Sequence, residues 1–247
     1  MENVKPKRTI SMTTAIIYFV VSLVFNSAGN VLTLVSSAKI HSRLLGSAYW
    51  TAAETNFGNA FSWDLFWAFL GLGLLTTVLN AVLIGHWSWS RVFGNVIFLV
   101  PFALLIQFFD NVFEVYFPST TSVLGIIIYV LVNFLGVTFI AVAISIYQRV
   151  NLALHPADDL MQILRFKFFN GKAAKAMWCS YIPPTIMAVI AIIVIGLKTG
   201  DVMAGFLNFG IGTIFAFLFQ GSITGFADHH IFPSLKHQAI DVGKKDN

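Results

Sequence analysis

The sequence predicts an all-α integral membrane protein of six transmembrane helices, arranged as two inverted three-helix repeats. Three observations predict it. The composition is 57% hydrophobic and 15% aromatic but only 11% charged, with a mean hydropathy of +0.79, whereas a soluble domain carries about a quarter charged residues. The apolar residues lie in runs of about 20, the length a bilayer core demands. Features of the first half also recur, in the same order, in the second.

The expected spans are roughly 12–36, 62–85, 92–109, 122–147, 177–197 and 203–227. The first follows Lys5, Lys7 and Arg8, but it runs long and has no clean small-residue cleavage site, so it is expected to remain as a helix rather than be removed as a leader. The second lies between Trp63 and Trp87, and Trp50, Trp89 and Trp178 also fall near span ends, where aromatic rings anchor at the interface. The third begins near Gly94 and ends at Asp110-Asn111. The fourth centres on the uniformly apolar stretch around Asn133. The fifth carries Pro183-Pro184, which should kink or break it. The sixth is glycine-rich, with Gly221 and Gly225 spaced for helix packing. Barrel strands would alternate with period two over about 10 residues, and these runs do not.

Charge sets the expected orientation. With the N-terminus inside, twelve of the 15 Lys and Arg residues face the cytoplasm and only Lys39, Arg43 and Lys198 face out. That asymmetry predicts a multi-pass membrane protein with both termini cytoplasmic. The single cysteine, Cys179, allows no internal disulfide and no cysteine-based metal site.

Gly94 precedes Asp110 by 16 residues, and Gly212 precedes Asp228 by 16. Gly29 leads to the polar segment LLGSAYWTAAE, and Gly136 leads to LALHPADDLM at the same spacing, so Tyr49 corresponds to Pro156, Thr51 to Asp158 and Glu54 to Met161. Each half thus reads as a long helix, an interrupted polar segment and two further helices. The halves divide at 1–118 and 119–247 within one membrane domain. Three spans is an odd number, so the second half must insert upside down, an arrangement that recurs in secondary transporters.

Polar residues in so apolar a chain are the candidate site. Asp158 and Asp159 follow Pro156, which suits the first turn of a helix, and acids there are favoured by the helix dipole. They serve either as solvated caps or, for Asp158, as a group facing a polar cavity. Glu54 sits among small and aromatic residues, a composition that suits a re-entrant segment as well as an exposed loop. Asn26 and Asn30 share a helical face, and Asn133 is central in the fourth span; such groups either glue helices together or line a pathway. Asp110 and Asp228 are expected at the ends of equivalent helices, as gating or coupling acids, because the dipole disfavours them there. Asp228, His229, His230 and His237 match no metal-ligand spacing, and no metal or other cofactor is expected. Phosphate-binding loops, G-x-S-x-G and H-E-x-x-H are missing from the sequence, so neither catalysis nor nucleotide-driven transport within this chain is expected. The basic residues follow topology and give no nucleic-acid surface.

The residues Gly136, Leu152, Pro156, Asp158 and Leu160, with Gly210, Gly212, Thr213, Gly221 and Asp228, make the chain resemble the YczE/YyaS/YitT family of bacterial membrane proteins. Members usually carry Pro-Trp-Asp after the first span; here the position reads Tyr49-Trp50-Thr51. The resemblance implies fold and location and brings no activity with it. The preferred expectation is a small-molecule transporter or permease, with lipid around it and a substrate site between the repeats at Asn26, Asn30, Glu54, Asn133 and Asp158. The alternatives are a non-transporting scaffold or regulator that recruits a partner through the 149–176 loop, and a substrate-binding subunit of a larger transporter. A homo-oligomer or a protein partner fits each reading.

Overall fold

The computed structural model describes residues 9–40, 45–63 and 65–238. These residues are 80% helical and include no strand. The helices are α1 (Met12–Lys39), α2 (Tyr49–Phe61), α3 (Leu65–Ile84), α4 (Trp89–Tyr116), α5 (Val123–Val150), α6 (Pro156–Ile163), α7 (Ala173–Ser180), α8 (Ile182–Thr199) and α9 (Ile211–His230). Five stretches are long and apolar enough to cross a membrane: α1, α4, α5, Ala173–Thr199 and Val202–His230. This is the pattern of a multi-pass membrane protein. The expected second span corresponds to α3, whose apolar stretch is Leu70–Ile84.

Local chemistry sets several ends. Ser11 and Ser122 accept from the backbone N–H of Thr14 and Gly125, each at 3.1 Å, and so cap α1 and α5. Asn151 closes α5 in the left-handed region at φ 51°. The fifth apolar stretch breaks at Tyr181, between α7 and α8, and Pro183 and Pro184 occupy the first turn of α8, where their missing N–H groups need no partner.

Hydrogen bonds sort the helix ends into two sets. At one end Lys39 pairs with Glu114, and Lys198 donates to the carbonyl of Ala60 at 2.7 Å. At the other, Lys167 donates to Leu83 O at 2.9 Å, and Arg149 to Ile231 O at 2.8 Å. Lys5, Lys7, Arg8, Arg43, Lys244 and Lys245 lie outside the described residues.

At the centre α1 crosses α5. A Cβ on Gly29 would lie 2.6 Å from Gly136 O, and one on Gly136 would lie 2.7 Å from Gly29 O. The contact is reciprocal and only glycine permits it. α4 packs on α1 and α9 on α5. The two short helices exchange places: α2, from the first half, packs on α8, while α6, from the second, packs on α3. Tyr49 and Pro156, which start α2 and α6, are 107 residues apart, as are Gly29 and Gly136.

The chain before α2 is tied to the start of α9. Leu45 O accepts from Gly212 N at 2.7 Å, and Ser47 O from Thr213 Oγ1 at 2.7 Å. Gly46 adopts φ +68°, and a Cβ there would lie 2.5 Å from Gly210 N. The Gly-x-Gly-Thr of the sequence is therefore a docking strip for the segment that leads into α2.

One expected boundary is wrong. The third span does not end at Asp110, because α4 continues to Tyr116. Phe113 packs on Phe109 and Phe117, with ring centroids 5.5 Å apart in both contacts, so the apolar helix extends past the acid. Asp110 is a half-buried residue within α4 and not a helix-end group. Asp228 does lie in the last turn of α9.

Candidate functional site

The N-terminal ends of α2 and α6 open on one cavity of about 60 Å³. Ala48, Tyr49, Trp50, Thr51 and Glu54 reach it from α2, and His155, Ala157 and Asp158 from α6. α1 adds Asn26 and Asn30, α4 adds Phe98 and Phe102, α5 adds Ile140 and Ile144, and α9 adds Gln220. Four of the five expected substrate-site residues therefore meet: Asn26, Asn30, Glu54 and Asp158. On the standard that one ordered water needs roughly 10–15 Å³, the volume suits a few heavy atoms.

A relay of hydrogen bonds runs along one wall. Thr51 Oγ1 donates to Asn30 Oδ1 at 3.1 Å, and Asn30 Nδ2 donates to Asn26 Oδ1 at 2.9 Å. Asn26 Nδ2 donates to Tyr147 Oη at 3.2 Å, and Tyr147 donates to Asp158 Oδ2 at 2.5 Å. Each amide is thereby committed, and the chain ends on a carboxylate. Glu54 is 2% exposed, yet its carboxylate has no hydrogen-bond or ion-pair partner among the described residues. Among the described residues no Lys or Arg lines the cavity.

Burial acts on the titratable groups here. It raises the Glu54 carboxyl well above its ordinary range, and nearby Asp158 raises it further. Burial pushes Asp158 up to about 7; the bond from Tyr147 opposes the shift and Asp159 adds to it. Burial lowers His155 to about 4, so its ring is neutral. His155 Nδ1 accepts from Ala157 N at 3.3 Å and so caps α6, and its ring packs on Phe98 and Phe102.

α6 is held rigidly. Asn80 Nδ2 donates to Pro156 O, and Gln148 Nε2 to Asp158 O, both at 2.9 Å. Asp159, 1% exposed, forms an ion pair with Arg91 of α4. The two neighbouring acids thus differ: Asp159 fastens the helix and Asp158 faces the cavity.

The remaining expected residues stand elsewhere. Asn133 is fully buried away from the cavity, donating to Thr33 O, Ser36 Oγ and Gly46 O, each at 3.1 Å. It joins α1, α5 and the segment before α2, so its role in the structure is packing. Asp228 accepts from Ser145 Oγ at 2.6 Å and pairs with Arg165 and Arg149. Asp110 is not part of either group. Among the described residues no cluster of His, Cys, Asp and Glu has the makings of a metal site.

Sequence reasoning missed Tyr147, His155 and the aromatic walls. The position of His155, immediately before a helix-starting proline, was a signal for the first turn. Nothing distinguishes Phe98 or Phe102 among 25 Phe residues.

The model of a family described as "Family of unknown function (DUF6198)" matches residues 13–229. It does not carry the YczE/YyaS/YitT name. No curated protein and no solved structure matches the chain.

Proposed function

We propose that this chain, a member of the family of unknown function DUF6198, is a small-molecule permease of the bacterial inner membrane. In this reading it has six transmembrane helices, α3 being the second, and both termini are cytoplasmic. Residues 1–118 and 119–247 form inverted halves, and α2 and α6 are re-entrant helices that enter from opposite faces. Rocking one half against the other would expose the cavity alternately to each side.

The observation that carries the reading is the composition of the cavity. The first half contributes Asn26, Asn30 and Glu54, and the second contributes Asp158 and Gln220. Buried ionisable groups without partners are costly and mark pathways when they occur at membrane depth. The reciprocal Gly29–Gly136 crossing and the exchanged packing of α2 and α6 support the inverted repeat. A substrate-binding subunit would use the same cavity. The scaffold reading asks for an accessible 149–176 loop, and this segment is largely packed: Arg149 and Asp159 are each 1% exposed and Arg165 is 6% exposed.

The test is a thermal-shift screen of the purified protein against a metabolite library. A ligand that binds only the native state raises stability in proportion to ln(1 + [L]/Kd). The expected hit loses its shift in Glu54→Gln and Asp158→Asn and enters proteoliposomes containing the wild-type protein. Hits indifferent to both substitutions, or a folded protein that no compound stabilises, would count against the proposal.

A further inference from the structure

We propose that the cavity between α2 and α6 binds a compact monovalent organic cation, in exchange for one proton held by the Glu54–Asp158 pair. The inference rests on the permease reading and names its substrate class.

The lining argues for an organic cation. Glu54 offers two carboxylate oxygens and Asp158 offers Oδ1, none of them bonded to protein among the described residues. The same cavity is lined by the aromatic residues Tyr49, Trp50, Phe98 and Phe102. Aromatic faces attract alkylammonium and guanidinium groups through the ring quadrupole. A hard metal ion instead asks for about six oxygen ligands, and rings cannot supply them.

The charge balance argues for one positive charge. Two helix N-termini meet at the cavity, and each contributes roughly +0.5 of an elementary charge. Ala48 provides no side-chain cap for α2, so that end remains uncompensated from its own residues. Two ionised carboxylates against two such ends leave about one negative charge. One cation neutralises it, and so does one proton. The two compete, and entry of the cation releases the proton to the solution from which the cation came.

The groups facing the pair are few. Tyr147 comes from α5, His155 from the cap of α6, the Arg91-paired Asp159 from α6, Tyr49 from α2 and Tyr181 from the junction of α7 and α8. α1, α4 and α9 present only amides and rings to the cavity. His155 is neutral, and Asp159 is already matched by Arg91. The exchangeable proton is therefore assigned to Glu54 and Asp158.

The experiment uses the full-length protein with guanidinium chloride at low millimolar concentration and urea as its neutral near-isostere. Binding is read by calorimetry in buffers of different ionisation enthalpy, and flux is read in proteoliposomes. The expected result is guanidinium binding with release of about one proton, weakening about tenfold per pH unit below pH 7. Glu54→Gln and Asp158→Asn should each abolish proton release while remaining folded. Binding of urea in preference to guanidinium, guanidinium binding without proton release, or no binding of either would overturn the inference. Guanidinium binding with proton release but without flux would uphold the site and its ligand class and overturn the permease reading instead.

Discussion

Two acidic centres in this protein are built from the same side-chain type and treated in opposite ways. Asp228 is 7% exposed in its side chain and is surrounded by compensation: Ser145 donates to it, and Arg165 and Arg149 bring two positive charges. Arg149 then spends its remaining donors on the carbonyls of Ile231, Phe232 and Leu235, at 2.8, 3.0 and 3.2 Å. Glu54 is buried and Asp158 partly buried beside the cavity, and among the described residues no Lys or Arg lines it. Buried charge is tolerated when paired and is expensive when not. The first centre closes residues 231–238 onto the bundle, whereas the second, in the proposed reading, leaves room for a charge supplied from outside.

The largest expected effect lies at the compensated centre. Arg149→Met leaves Asp228 short of a partner and strips five carbonyls, those of Ser145, Asp228, Ile231, Phe232 and Leu235, of a donor. Breaking a buried pair costs roughly 3–5 kcal/mol, so thermal unfolding in detergent should fall by many degrees. A loss no greater than that of a surface substitution would remove the contrast between the two centres.

A smaller loss is expected at the crossing of α1 and α5. Gly136→Ala places a Cβ about 2.7 Å from Gly29 O. Forcing the helices apart should cost roughly 1–3 kcal/mol and should also disturb the cavity. Unchanged stability would mean the helices do not cross at this point.

The uncompensated centre should respond with the opposite sign. The Asp158 carboxyl is raised from 3.8 to about 7 in the folded protein, so between those values the folded state holds a proton that the unfolded chain has lost. Its contribution to stability is therefore present below about pH 4 and is lost as pH rises toward 7. Asp158→Asn should flatten that part of the stability profile. A steeper profile in the variant would contradict the assigned shift.

The smallest effect belongs to Tyr147→Phe. It removes one hydroxyl that donates to Asp158 and accepts from Asn26, a change worth about 1 kcal/mol. The pH at which binding weakens should move upward, since the carboxylate loses a donor, while the fold persists. No movement would exclude the relay from tuning Asp158.

The all-helical, multi-pass character was legible because apolar runs and prolines are strong physical signals. Pro183-Pro184 announced the break between α7 and α8, and the polar segments around Glu54 and Asp158 announced the two short helices. The site was partly legible, since an acid or amide in so apolar a chain needs a reason. Asn133 satisfied that logic, yet its Nδ2 is committed to Thr33, Ser36 and Gly46 away from the cavity, and sequence cannot distinguish an amide that donates within the bundle from one facing a cavity. Asp110 failed for a simpler reason: Phe113 and Phe117 carry the helix onward past it. The pairing of Arg149 with Asp228 was hidden because every basic residue could be accounted for by topology alone.

The most direct measurement is equilibrium unfolding at pH 8 of Glu54→Gln/Asp158→Asn beside Asp228→Asn. The double variant is expected to be at least as stable as the wild type, because it removes two carboxylates that no cation among the described residues offsets, while Asp228→Asn is expected to be several kcal/mol less stable. A double variant that loses as much stability as Asp228→Asn would show that Glu54 and Asp158 hold the structure together, and would contradict the claim that they await a ligand.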